Sequence, residues 1–104
     1  MGVELSVVIP AYNEQGKIGR VISKIPIDLP SVILVVDDAS NDGTYDEASA
    51  ANAIVLRHAH NQGVGAAIRT GINYAINNQF EIVAILSGDD QHDPQELKGL
   101  IEPI

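Results

Sequence analysis

Cysteine is absent from this 104-residue chain. That excludes a disulfide framework and a thiolate metal site, so any metal must be held by oxygen or imidazole. Basic side chains are scarce. Six Lys and Arg stand against fourteen Asp and Glu, a formal charge of −8, the wrong sign for recognising nucleic acid or an anionic membrane by bare charge. No apolar run approaches the length that spans a bilayer, and no basic region precedes the short apolar run of "MGVELSVVIP". These absences together describe a soluble chain suited to a reducing, cytoplasmic compartment. No linker, repeat array or low-complexity segment divides it, so it is one domain at most, or half of something larger.

What is present is a fourfold alternation. Leu5 to Ile9 reads as a buried strand stopped by Pro10, followed by a helix with Asn13 as cap and Ile18, Val21, Ile22 and Ile25 at helical spacing before Pro26. Val32 to Val36 is a second strand, followed by "DDASNDGT" and a helix opened by Thr44 and Glu47 as a capping box. Ile54 to Leu56 is a third, followed by a helix on which Val64, Ala67, Ile68, Gly71, Ile72, Ala75 and Ile76 form one apolar face, ending at Asn77 and Asn78. Ile82 to Leu86 is a fourth; Asp93, Pro94 and Glu96 then open a last helix that runs to about Pro103. Apolar strands alternating with helices predict an α/β, doubly wound, mainly parallel sheet with helices on both faces.

Every polar cluster follows a strand: "PAYNE", "DDASNDG", "HNQG" and "SGDDQ". In a parallel sheet these positions share one edge, the edge at which open α/β sheets bind ligands. In an extended segment Asp89 and Gln91 point to one side and Asp90 to the other, so a carboxylate and an amide oxygen can meet one hard cation, Mg2+ or Mn2+. Asp90 reads as solvated, His92 as structural and Asp93 as a helix cap. Asp37 and Asp38 have two readings: acceptors for a nucleobase N–H or a ribose hydroxyl, or members of a turn with Asn41, Asp42 and Gly43. The glycines of "NQGVGAAIRTG" likewise either admit a phosphate at a helix N-terminus or serve close packing, Gly71 in particular.

Together, "VVIPAYNE", "VVDDASNDGT", "NQGVGAAIRTGI" and "LSGDDQHDPQEL", in this order and spacing, make nearly the whole chain resemble the donor half of a family 2 glycosyltransferase of the GT-A fold. By motif it is most similar to the dolichol-phosphate mannosyltransferase-like enzymes. The resemblance implies transfer of a sugar from a nucleotide diphosphate sugar, in that subgroup commonly to a lipid-linked acceptor, a polyprenyl phosphate. A divalent metal, Mg2+ or Mn2+, would assist nucleotide departure, and the full-length protein would work at the cytoplasmic membrane face. It further implies that Pro10, Ala11, Tyr12 and Glu14 form the first nucleotide-contacting loop, with Glu14 a ribose or base partner, and that Asp37 and Asp38 contact the base. Gly63, Gly65, Arg69 and Gly88 complete the donor contacts. Asp89 matches the second acid of the family's D-x-D metal motif, and Gln91 a glutamine that helps hold the metal. Two positions depart from the pattern: Ser87 stands where the first acid belongs, and Val64 stands where a basic residue often lies between the glycines. The acceptor half and its catalytic base are expected beyond residue 104, and a catalytic residue is not assigned.

Three other readings compete. A dinucleotide-binding Rossmann domain would use Gly63 and Gly65, but Ile68 replaces its third glycine and the motif follows the third strand. A phosphate-receiver module would need an aspartate at the end of the third strand, where "RHAH" stands. A non-catalytic nucleotide-binding module is compatible with Ser87.

Overall fold

The computed structural model describes residues 5–26, 31–87 and 101–103. Its strands are β1 (Leu5–Ala11), β2 (Ser31–Asp37), β3 (Ile54–Arg57), β4 (Ile82–Ile85) and β5 (Ile101–Pro103); its helices are α1 (Ile18–Ser23), α2 (Thr44–Ala50) and α3 (Val64–Asn77). They form one five-stranded sheet in the order β3-β2-β1-β4-β5. The first four strands run parallel, and β5 pairs antiparallel with β4. The expected last helix therefore does not reach Pro103. There the chain instead covers the outer edge of β4, whose backbone groups would otherwise lack partners, and an edge strand tolerates the proline. Asp93, Pro94 and Glu96 lie outside the described residues.

Alternation along β1 sorts the core. Leu5, Val7, Ile9 and Ala11 face Ile18, Val21, Ile22 and Ile25 around α1 and Ala48 of α2. Val8, with Leu34, Val36 and Val83, faces Ala67 and Ala75 of α3. Helices thus cover both faces, as parallel strands without a polar face require. Both faces of β1 are buried, hence its nearly unbroken apolar run.

Pro10 does not stop β1, which continues to Ala11. The Leu86 N–H donates to the Val8 carbonyl at 3.0 Å, so Val8 presents its backbone to β4, and Pro10, two residues on, faces the same way. The β1–β4 pairing ends at Val8↔Ile85. The missing proline N–H therefore falls beyond that pairing and removes no ladder bond.

The expected caps also differ. Asn13 does not cap α1: it has φ +52°, and its Oδ1 accepts the Asn41 N–H. The carbonyl of Glu14 instead accepts the N–H groups of Lys17 and Ile18. Thr44 and Glu47 form no capping box. Asp42 Oδ1 accepts the Thr44 N–H, Thr44 Oγ1 accepts the Glu14 N–H, and the Glu47 carboxylate reaches α1, accepting from Gly16 and Gly19 at 2.8 and 2.7 Å. Asp42 thus serves its own helix, whereas the Thr44 hydroxyl and the Glu47 carboxylate satisfy donors of the neighbouring unit.

On α3 the buried stripe is Ala67, Gly71 and Ala75, a spacing of four that keeps one line against the sheet. Ile76 falls off that face and is 54% exposed, whereas Val64 shares the direction of the stripe but is the first residue of the helix and is 66% exposed. Gly71 sets the approach: a Cβ there would stand 2.3 Å from Val8 Cγ1. Gly71→Ala should therefore destabilise the chain by about 1 to 3 kcal/mol through overpacking. Gly65→Ala, whose Cβ would meet only Arg69 Nη1 at 3.8 Å, should stabilise it by up to about 1 kcal/mol through helix propensity. Urea unfolding of the two variants checks the opposite signs; equal stability would show that the sheet yields at Val8.

Candidate functional site

The chain leaves β1 toward β2 and β3 on one side, then crosses back through α3 to β4 on the other. The order thus reverses between β1 and β4, and a crevice opens beyond their carboxyl ends. A cavity of about 680 Å³ lies there, lined by Pro10, Ala11, Tyr12 and Glu14 after β1, Asp38 after β2, Asn61 and Gly63 before α3, Val64, Ala67 and Ile68 on α3, and Ile85, Leu86 and Ser87 at the end of β4. This volume suits a small organic ligand, and the mixture of apolar wall and few polar groups is typical of such sites.

Asp38 is the charged group set deepest in this wall, 3% exposed. Its N–H donates to the Ala11 carbonyl at 2.8 Å, which extends the β1–β2 ladder by one bond and fixes where the side chain leaves. The carboxylate accepts the Gln62 N–H on Oδ1 at 2.9 Å and the Gly63 N–H on Oδ2 at 2.8 Å. Those donors precede the first turn of α3, where negative charge is favoured. Gly63 has φ +97°, a backbone conformation that only glycine adopts without strain. Burial by itself would raise the Asp38 pKa. The hydrogen bonds from His58, Gln62 and Gly63 outweigh it and hold the carboxyl below its ordinary 3.8.

Asp37 goes the other way. One residue earlier on the strand, it points to the α1 and α2 face, fully buried, and is not among the cavity-lining residues. Its Oδ1 accepts the Ser40 N–H at 3.0 Å, and its Oδ2 lies 3.6 Å from Arg57 Nε. Arg57 in turn donates to the Ser40 carbonyl and lies over the Tyr45 ring at 5.4 Å. The acidic pair is thus divided by the pleat into one residue at the cavity and one beneath the loop.

Tyr12 and Glu14 are held at the rim by pairing between the two loops after β1 and β2. The Asn13 N–H donates to Ser40 Oγ at 2.8 Å, the Gln15 N–H to Asp42 Oδ2 at 3.2 Å, and the Gly43 N–H to Gln15 Oε1 at 2.9 Å. The Asp42 carboxyl is also held below its ordinary value: burial opposes this, but bonds from the Thr44 hydroxyl and from the N–H groups of Thr44 and Gln15 prevail. "SNDG" is therefore one side of a clasp between loops as well as a turn.

Gly65 and Arg69 share the outer side of α3, and neither lines the cavity; Val64, Ala67 and Ile68 present the face that does. Gly88, Asp89 and Gln91 lie outside the described residues, and Ser87, which leads to them, lines the cavity. Among the described residues no three His, Asp or Glu side chains cluster as a metal site requires. His58 escaped the sequence reading. Its Nδ1 lies 2.7 Å from Asp38 Oδ1 and its Nε2 2.8 Å from Thr70 Oγ1. The available signal was its place immediately after β3, on the same sheet edge as Asp38.

Comparison with known proteins agrees with this geometry. Residues 6–104 match the profile described as glycosyl transferase family 2. The UDP-N-acetylglucosamine–dolichyl-phosphate N-acetylglucosaminyltransferase of Methanococcus voltae is 32% identical over 93% of this chain and 45% of its own length. The polyprenol monophosphomannose synthase of Mycolicibacterium smegmatis is 31% identical over 94% of this chain and 40% of its own. The chain spans less than half the length of these relatives. Among solved structures, the mannosyltransferase PcManGT of Pyrobaculum calidifontis, in complex with GDP-Man and Mn2+, superposes with a TM-score of 0.70 at 28% identity, over 82% of this chain and 27% of that one. S. aureus TarS 1–349 in complex with UDP does so with a TM-score of 0.70 at 26% identity, over 93% and 30%. A doubly wound sheet of the GT-A kind, a cavity at its switch point and a profile match over almost every residue place this chain in glycosyl transferase family 2.

Proposed function

We propose that this chain is the donor-binding part of a glycosyltransferase that moves a sugar from a nucleoside diphosphate sugar to a polyprenyl phosphate. The observation that carries the reading is the cavity between the β1 and β4 ends, with Asp38 clamped in its wall, in a chain of glycosyl transferase family 2. The acceptor class is supported by the relatives named for dolichyl and polyprenol phosphates, and the donor class by neighbours that hold GDP-Man or UDP. An acceptor of that kind is a membrane lipid, so the reaction would run at a membrane surface, on the cytoplasmic face. Among the described residues no helix is long and apolar enough to cross one. The acceptor half would lie outside these 104 residues.

In this reading the nucleoside lies along Pro10 to Tyr12, with Glu14 and Asp38 accepting hydrogen bonds from its ribose and base. The diphosphate extends toward the segment after Ser87. Asp89 and Gln91 would hold Mg2+ or Mn2+ there, both offering the hard oxygen ligands such ions take; Mn2+ is the ion in the PcManGT complex. The metal would neutralise charge on the departing nucleoside diphosphate as the acceptor displaces it at the anomeric carbon. With Ser87 in place of an acid, the site would need the donor's own phosphates to complete the ligand set.

Nucleoside diphosphate binding measured by titration calorimetry tests the assignment. Asp38→Asn should unfold as cooperatively as the parent and bind about 1 to 3 kcal/mol more weakly, since an amide cannot serve all the donors that the carboxylate accepts; equal affinity would remove Asp38 from the site. Because the folded pKa of Asp38 is depressed, its contribution to stability is complete above about pH 4 and is lost as pH falls through the folded value. Hydrogen-exchange protection of the Gln62 and Gly63 amides should accordingly hold from pH 7 to about 4.5 and decline below about 4. Protection already lost well above pH 4.5 would contradict the clamp. Addition of Mn2+ should tighten nucleotide binding clearly and chelator should reverse it; Asp89→Asn should abolish that enhancement, whereas Asp93→Asn, another competent helix cap, should leave it. The opposite pattern would move the metal site from Asp89.

A further inference from the structure

We propose that His58 is a positioning residue for the donor cavity: it fixes the rotation of the Asp38 carboxylate, and through it the backbone of residues 62 and 63 that opens α3. The proposal rests on the cavity being the donor site.

The His58 side chain is 9% exposed, facing an Asp38 side chain 4% exposed. Its main-chain N–H donates to the Asp37 carbonyl at 2.9 Å, which carries the β2–β3 ladder one step past Arg57 and places the ring over Asp38. The ring then spans two elements, with Nδ1 2.7 Å from Asp38 Oδ1 and Nε2 2.8 Å from Thr70 Oγ1 on the second turn of α3. The Thr70 hydroxyl is also 3.0 Å from the Ala66 carbonyl. That hydroxyl has one proton. If it goes to Ala66, His58 Nε2 must donate to Thr70, and because the ionised Asp38 carboxylate opposite Nδ1 can only accept, the ring carries protons on both nitrogens. If it goes to His58 Nε2, the ring is the neutral Nδ1–H tautomer. In both arrangements Nδ1 carries a proton and donates to the Asp38 carboxylate.

Asp38 Oδ1 therefore accepts from both His58 and Gln62, and Oδ2 accepts from Gly63. A carboxylate held by three donors from three directions cannot turn about its last bond. Among the described residues Oδ2 has a single bond, so its second lone pair is the one left for a ligand in the cavity that Asp38 lines. Remove the ring and Oδ1 loses a donor. The carboxylate can then rotate, and the two N–H groups that it anchors go with it. A histidine serving only to fill space would show none of this directional dependence.

The test compares the parent chain with His58→Leu, His58→Asn and Thr70→Val by titration calorimetry with UDP and with GDP in the presence of Mn2+. Ligand-free amide spectra and hydrogen exchange of Gln62 and Gly63 are recorded alongside. Leucine fills much of the ring's volume without a donor and should lower affinity about tenfold or more, the loss of one charge-assisted hydrogen bond. It should also shift both amides and reduce their protection. Asparagine carries an N–H close to the Nδ1 position and should restore affinity to within about threefold of the parent, with both amides protected. Thr70→Val leaves the ring its Asp38 bond alone and should fall between. If His58→Leu folds with parental affinity and parental amide protection, or if asparagine restores nothing, His58 only packs. Should His58→Leu fail to fold, parental affinity and protection in Thr70→Val would overturn the proposal, and weakened binding with shifted amides would support it. A parent that binds neither nucleotide defeats the donor-site reading alone, because the ligand-free amides still decide whether His58 holds the Asp38 clamp.

Discussion

One carboxylate joins most of the parts that matter here. Asp38 ends the β1–β2 ladder with its N–H on Ala11, meets β3 through the His58 ring, and accepts two N–H groups that precede α3. Three strand ends and a helix entry are thereby fixed to a single group. A buried carboxylate without partners would be costly; with three donors it becomes the fixed point from which the cavity wall is built. Its lowered pKa expresses the same balance, since donors that favour the charged form outweigh the burial that opposes it.

The remaining architecture supplies the place where such a group is useful. Reversal of strand order between β1 and β4 opens the crevice, and the low seating of α3 on Val8, through Gly71, brings Ala67 and Ile68 down to line it. The loops after β1 and β2 are then clasped to each other by side chains that each satisfy the other's backbone. Loops so paired lose less freedom when a ligand arrives, because the ordering has already taken place during folding. A chain of charge −8 would, under the proposed function, need a local counter-charge to bind an anionic donor. The divalent cation proposed for the segment after Ser87 meets that need where the sequence concentrates its aspartates.

Much of this was legible in one dimension, for identifiable reasons. The apolar runs of β1, β2 and β4 read as buried strands, and the spacing from Val64 to Ile76 as one helix face, of which Ala67, Gly71 and Ala75 are the buried part, because periodicity depends on local geometry. Polar clusters after each strand then had to share one sheet edge. Matching Asn13, Thr44 and Glu47 to their own helices failed because their partners lie roughly thirty residues away in sequence. A capping pattern states that a side chain seeks a backbone donor; it does not state whose.

The sequence by itself therefore determined the α/β class, the mainly parallel sheet, the edge at which the cavity opens and, through four motifs, the family. Tertiary structure alone decided that Pro10 lies past the β4 pairing, that residues 101–103 form a strand, that Asp38 and not Asp37 reaches the cavity, and that the His58 ring stands against Asp38. Burial and periodicity are properties of short segments, so composition and spacing reveal them. Hydrogen bonds between segments depend on which strand ends the fold brings together, and that is set only when the sheet is assembled.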